Sequence, residues 1–300
     1  MVLDTIFRAS KSLELTCILY FYKMSIFKKL LNFYINSSIH VALAVYALTY
    51  ITLLEFDLLY DEAMLYFVFY ATITGYNFVK YFGLAKFHHR SLANWLKAIQ
   101  IFSFFCFVLM GYYALQLPLE LLVYLGVFGL ITFFYAIPFL PKRIFIDKYH
   151  NLRSIGGLKV YVIALVWSGV TVFLPLLSND YGIDDDVFIT EFQRFCFVIL
   201  LMLPFEIRDL KFDSLKLSTI PQRIGVRNTK IIGVVMAVLI FLLEFFKDET
   251  SQTQILVLGV VQLLTVLLLV LARKNQNKYY SSFWVEGIPL VWLLLLVVAS

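Results

Sequence analysis

Runs of apolar residues about 17 to 22 long recur through this chain, separated by short segments that collect nearly all of its charge. At 1.5 Å per helical residue such a run crosses roughly 30 Å of hydrocarbon, so each is predicted to be a membrane-spanning helix. The predicted spans are 38–56, 62–79, 98–116, 119–139, 158–177, 187–205, 230–247, 254–272 and 282–299. The second is the least apolar, because Thr72, Thr74 and Asn77 interrupt it. Ahead of the first span, Ile26, Phe27, Leu30, Leu31, Tyr34 and Ile35 recur at helical spacing while Lys28 and Lys29 turn away. That pattern predicts an amphipathic helix over 23–36 lying on a membrane surface. The chain is therefore expected to comprise an interfacial segment, 1–36, and an all-α, polytopic membrane bundle of nine helices, 37–300, with eight helices as the alternative.

Composition agrees with that pattern. Hydrophobic residues make up 61% of the 300 positions and charged residues only 15%, with a mean hydropathy of +0.84. A soluble domain of this size would carry more charge. The 30 Phe and 19 Tyr imply an aromatic-rich interior and interface belts. A net charge of +5 does not point to nucleic acid, because the aromatic residues fall inside apolar runs and no basic groove module is present. Cys17, Cys106 and Cys196 lack metal-ligand spacing and are read as buried thiols. Asp4, Arg8, Lys11 and Glu14 break up the N-terminal residues, so no cleavable signal peptide is expected there.

Charge then orients the bundle. When the connecting segments are assigned alternately to two sides, 23 of the 25 Lys and Arg residues fall on one side. Only Arg194 and Lys247 remain for the other, which carries Glu55, Asp57, Asp61, Glu62, Asp180 and Asp184 to Asp186. The positive-inside rule places the basic side and the N-terminus in the cytoplasm, with Ser300 outside. Removing one span would scramble this separation. Asp184-Asp185-Asp186 is read as a solvated loop, since consecutive carboxylates cannot all face one ligand.

On the basic side, at the end of the sixth span, lie Glu206, Asp209 and Asp213. At 100° per residue they fall within about 60° of one another on a helix. A hard cation such as Mg2+ takes oxygen ligands, one or two carboxylates together with water and phosphate oxygens. The spacing is compatible with such a site and equally with hydrated acids at a helix mouth.

The surrounding text adds a resemblance. Asp209-Leu-Lys-Phe-Asp213-Ser-Leu-Lys-Leu-Ser-Thr219-Ile-Pro221-Gln-Arg-Ile-Gly225 resembles the second aspartate-rich motif of the UbiA family of membrane prenyltransferases. Tyr135-Ala-Ile-Pro138-Phe139-Leu-Pro-Lys142-Arg143 is similar to a segment that follows the family's fourth helix. The likeness runs from about residue 35 to the end. It departs at the first motif, where the family has Asn-Asp-x-x-Asp-x-x-x-Asp. Here Asn77 stands in place, but Phe78, Tyr81 and Ala85 occupy the carboxylate positions, and no acid occurs between Glu62 and Glu120.

The resemblance implies a multi-pass protein of a bacterial inner membrane that moves a polyprenyl group from a prenyl diphosphate to a lipophilic, aromatic acceptor with Mg2+. It implies metal binding by Asp209 and Asp213, helped by Glu206. Lys142, Arg143, Arg153 and Lys80 would take the diphosphate, with Asn77 orienting ligands, and Tyr135 and Tyr81 would face the substrate cavity. A Lys or Arg beside a phosphate oxygen at 4 Å and an effective dielectric near 20 contributes roughly 4 kcal/mol, so two could partly stand in for one metal ion. Two other readings remain open: an inactive family member that binds isoprenoid lipid, and a transporter. A transporter would place its ionisable groups near mid-membrane, whereas these sit at span ends. His88-His89 are expected to be interfacial, because adjacent histidines diverge on a helix. Glu286-Gly287 resembles an acid–glycine pair near the family's last helix, and an ionisable residue within a span is costly unless it is used.

Overall fold

The computed structural model describes residues 26–85, 94–136, 157–211 and 219–299. The helices in chain order are α1 (Ile26–Asn36), α2 (Ile39–Glu55), α3 (Glu62–Ala85), α4 (Asn94–Ala114), α5 (Leu119–Ala136), α6 (Leu158–Ser178) and α7 (Asp185–Asp209). They are followed by α8 (Ile220–Leu243), α9 (Gln252–Leu271) and α10 (Ile288–Ala299), the last preceded by a π-helical turn over Tyr280–Val285. No strand occurs among the described residues. Each of the nine predicted spans coincides with one of α2 to α10. By length and hydropathy, six described helices are sufficient to cross a membrane, or up to seven if the bent pair α1–α2 is one span. The protein is thus an all-helical integral membrane bundle, and its count of full crossings is lower than nine by that measure. α3 falls short because of the polar residues already noted, and α5 because its apolar stretch, Leu119–Phe134, is short.

α2 and α7 form the centre. α2 packs on α3, α6 and α10, and α7 on α6, α8 and α9, while α4 leans on α3 and α5 on α6. Leu48, Ile51 and Leu53 of α2 and Phe197, Leu200 and Ile207 of α7 are almost wholly enclosed. The outer helices instead present Phe104, Phe105, Val123, Val127, Val235 and Leu263 outward, as a lipid-facing surface requires. α1 meets α2 at 54°, and its first five residues are all exposed, the apolar Ile26, Phe27 and Leu30 among them. The half-buried Tyr66, Tyr70 and Tyr113 stack across α3 and α4 at 5.4–6.4 Å. Cys106 and Cys196 are buried and free.

Lipid tails are as apolar as leucine, so apolar area alone does not drive these helices together; packing and interhelical polar contacts must. The acidic end shows how. Arg194, 2% exposed, donates to the Leu48 carbonyl (2.8 Å), Thr52 Oγ1 (3.3 Å) and Glu55 Oε2 (3.3 Å), and its guanidinium lies 5.1 Å from the centre of a Trp292 ring. Gln193 donates to the Ile240 carbonyl (2.8 Å) and to Glu244 (2.9 Å), which also pairs with Lys247 at 2.9 Å. The two basic residues of the acidic side are therefore both consumed internally. In the aspartate run Asp184 and Asp185 are exposed to solvent as expected, whereas Asp186 is buried in the first turn of α7. Asp184 caps α7 through Val187 N–H (3.0 Å), and Asp186 accepts the backbone N–H groups of Asp248 (2.9 Å) and Glu249 (3.1 Å). A cavity of about 480 Å3, lined in part by Glu55, Asp186, Glu244 and Lys247, opens above this network.

Removing one member of a buried ion pair strands the other charge, at a cost of about 3–5 kcal/mol. Arg194→Leu is expected to lower the melting temperature of the detergent-solubilised protein by several degrees, and Lys28→Leu to leave it unchanged. Equal melting temperatures for Arg194→Leu and the unmodified protein would show that the Arg194 network does not hold α2 to α7.

Candidate functional site at the basic end

The last turn of α7, the first turn of α6, the C-terminal half of α3, the α1–α2 junction and the π-turn before α10 meet at the opposite end of the bundle. The junction is built by Ser37 and Ser38. Ser38 adopts a left-handed conformation (φ 65°) and lets the chain turn sharply into α2. Asn77 secures it. Its amide nitrogen donates to the Ser37 carbonyl (2.9 Å) and Ser103 Oγ (2.8 Å), and its oxygen accepts from Ser38 Oγ (2.8 Å). Lys80, one turn later on α3, donates to Ser38 Oγ at 2.8 Å. Tyr81 donates to the Asn36 carbonyl (2.9 Å) and meets Trp95 edge-on at 6.2 Å. Asn77 thus has both amide hydrogens and its oxygen engaged in joining α1, α2, α3 and α4.

Sequence reasoning missed the anchoring of the π-turn. His40 on α2 stacks on Phe283 (5.0 Å between ring centres, 10° between planes), and its Nε2 lies 2.9 Å from the Phe283 carbonyl. A carbonyl can only accept, so Nε2 carries the proton and Nδ1 accepts from Tyr34 Oη at 2.8 Å. Gly287 completes the fit, since a Cβ there would stand 2.7 Å from the Phe283 carbonyl oxygen and 3.4 Å from the His40 ring. The turn after the π segment sets Glu286 within electrostatic reach of both Lys80 on α3 and Arg208 on α7. One signal for this existed in the sequence, the polar interruption Ser37-Ser38-x-His40 between two apolar runs.

α7 runs past its predicted end through Asp209, which keeps Glu206 and Asp209 on consecutive turns of one face. Glu206 is 1% exposed. Lys159, in the first turn of α6, places its ammonium 3.6 Å from Glu206 Oε1 and 3.8 Å from Asp209 Oδ2. Arg208 Nε donates to the other oxygen of Asp209 at 2.8 Å, reaches Ser282 Oγ at 3.4 Å, and lies 5.1 Å from the centre of the Phe205 ring. The structure therefore brings together Glu206, Asp209, Lys159, Arg208 and, around Glu286, Lys80. Asp213, Lys142, Arg143, Arg153 and the Tyr135 side chain lie outside the described residues, as do Lys86, His88 and His89.

The donor set suits one kind of metal. Two carboxylates on adjacent turns, with no thiolate or imidazole beside them among the described residues, match a hard cation that completes its shell with water and phosphate oxygens. They do not form a closed cage: no cluster of three or more His, Cys, Asp or Glu side chains able to hold a metal occurs among the described residues.

No family model matches the sequence, and no curated protein matches it. Among solved structures, the chain is similar to that of a digeranylgeranylglyceryl phosphate synthase in membranes, a UbiA-family prenyltransferase. The TM-score is 0.53 at 15% identity, over 91% of this chain and 98% of the other. At that identity the likeness shows the fold.

Replacing Asn77 with leucine would leave the hydrogen-bonding groups of Ser37, Ser38 and Ser103 without this partner, costing about 1–3 kcal/mol. Asn77→Leu is expected to lower the melting temperature and to increase proteolytic cleavage between α1 and α2. A variant as stable and as protease-resistant as the parent would rule out the tether.

Proposed function

We propose that this chain is an intramembrane prenyltransferase of UbiA type, transferring a polyprenyl group from a prenyl diphosphate to a lipophilic acceptor, an aromatic one in the family's usual chemistry. The observation that carries this reading is the mixed-charge cluster at the basic end, in which Glu206 and Asp209 stand beside Lys159 and Arg208 within a prenyltransferase-like fold. Carboxylates alone would suit a cation and cations alone a lipid headgroup. Their interleaving suits a diphosphate carried with its metal.

Asp209 and Asp213, helped by Glu206, would hold Mg2+, which when bound neutralises charge on the diphosphate oxygens. Lys80, Lys142, Arg143 and Arg153 would contact those oxygens directly and stabilise the charge that develops on the leaving group. Asn77 acts one step back, by fixing Ser38 and through it Lys80. The allylic C–O bond breaks, its electron pair leaves with the diphosphate, and the prenyl cation is shielded by aromatic faces such as those of Tyr81 and Tyr135. The acceptor forms the new bond and releases a proton. Products are the prenylated acceptor, diphosphate and H+.

We read the segment from Asn77 as a first motif without carboxylates, so that cations replace part of the usual metal cage. The same feature favours a second reading, a catalytically inert member that keeps isoprenoid lipid in the bundle. In both, the basic end and N-terminus face the cytoplasm of a bacterial inner membrane and the C-terminus faces outward, with charge asymmetry as the support.

Purified protein with Mg2+, a polyprenyl diphosphate and a suitable acceptor is expected to release diphosphate. Asp209→Asn and Asp213→Asn should each reduce release at least a hundredfold. Undiminished release by the double variant would remove both residues from the metal role. Isoprenoid lipid that co-purifies without turnover under any divalent metal would support the inert reading.

A further inference from the structure

We propose that Lys159 is a tethered counter-cation that closes the Glu206–Asp209 pair in the metal-free protein and must leave before a divalent ion can bind there. This rests on the reading above that the pair takes a divalent metal. The position of the lysine argues for a dedicated role. Gly157, in a left-handed conformation (φ 77°), starts α6 abruptly and puts Lys159 in its first turn. A helix N-terminus repels cations, so a lysine there works against the helix dipole. Its compensation is the acid pair on α7: one ammonium bridges Glu206 Oε1 at 3.6 Å and Asp209 Oδ2 at 3.8 Å.

Those distances are longer than directional charge-assisted hydrogen bonds, which lie near 2.7–2.9 Å. The ammonium is held by field rather than by geometry, and it can be displaced. Arg208 differs. Its Nε bond to Asp209 is 2.8 Å long, its Nη1 reaches Ser282, and its guanidinium rests near Phe205. Exposure also separates the partners. The Lys159 side chain is 34% exposed, against 2% for Glu206 and 19% for Asp209, so the lysine is the member on the open side.

A divalent ion bound between the two carboxylates would occupy the space that the ammonium commands, and the two positive charges exclude one another. Metal entry therefore releases Lys159, whose flexible four-carbon stem keeps it beside the site and free to meet phosphate oxygens. Lys159 is on this account a positioning residue, coupling metal arrival to the exposure of a further cation.

The test is Mn2+ binding followed by electron paramagnetic resonance on the full-length protein in detergent, with no substrate present, for the unmodified protein, K159Q, K159R and D209N. K159Q should bind Mn2+ at least tenfold more tightly than the unmodified protein, K159R should stay within about threefold of it, and D209N should lose the site. Equal or weaker Mn2+ affinity in K159Q overturns the proposal, as does an unchanged signal in D209N. Tightened Mn2+ binding by K159Q, with no diphosphate release by the unmodified protein from a prenyl diphosphate in the presence of an acceptor, leaves this inference standing and removes the transfer reading.

Discussion

Charge buried among lipid-embedded helices has to be neutralised by other groups of the protein, and that constraint shapes both ends of this bundle. Water cannot solvate Arg194 or Glu206, and lipid tails offer them nothing. Each is therefore surrounded by partners from other helices. At the acidic end, pairing is complete enough to act as a clasp: Arg194, Glu55, Gln193, Glu244 and Lys247 join α2, α7 and the end of α8. At the basic end the same rule gives a different outcome. Lys159 meets its carboxylates at 3.6 and 3.8 Å, and Asp209 lies between two cations. One end is tied by short hydrogen bonds, and at the other the Lys159 ammonium stands beyond hydrogen-bond length from both of its carboxylates.

The scaffold that presents this charge is joined by polar contacts between helices. Asn77 links the α1–α2 corner to α3 and α4, and His40 fixes the π-turn to α2. π-Turns recur at functional sites because they re-aim side chains that a regular helix would direct elsewhere. Here the turn sets Ser282 against Arg208 and Glu286 within reach of Arg208 and Lys80. Helices α3 and α7 thus share one electrostatic centre without touching through their backbones over much of their length.

Much of the helical architecture was legible in the chain itself, for a physical reason. Membrane spans are announced by local composition, and each of the nine apolar segments fell on a helix. Glu206 and Asp209 were legible too, because a helical period of 3.6 places i and i+3 together whatever packs around them. What was hidden depends on partners far away in sequence. Asn77 meets Ser38 across 39 positions and His40 meets Phe283 across 243. Neither leaves a periodic trace. Lys159 was counted as a determinant of orientation, since its link to α7 emerges only when α6 and α7 pack. Within the aspartate run only Asp186 departs from the expected solvation, for a similar reason: it finds its donors at Asp248 and Glu249, sixty-odd positions on.

The claim on which the account turns is that the interleaved charges at the basic end form a receptor for a prenyl diphosphate. Native mass spectrometry of the detergent-solubilised protein incubated with farnesyl diphosphate and Mg2+ addresses it without requiring an acceptor. The account predicts a one-to-one adduct on the unmodified protein that is lost when Lys80, Lys142 and Arg143 are all changed to methionine. An adduct of equal abundance on both proteins, or none on either, would contradict it.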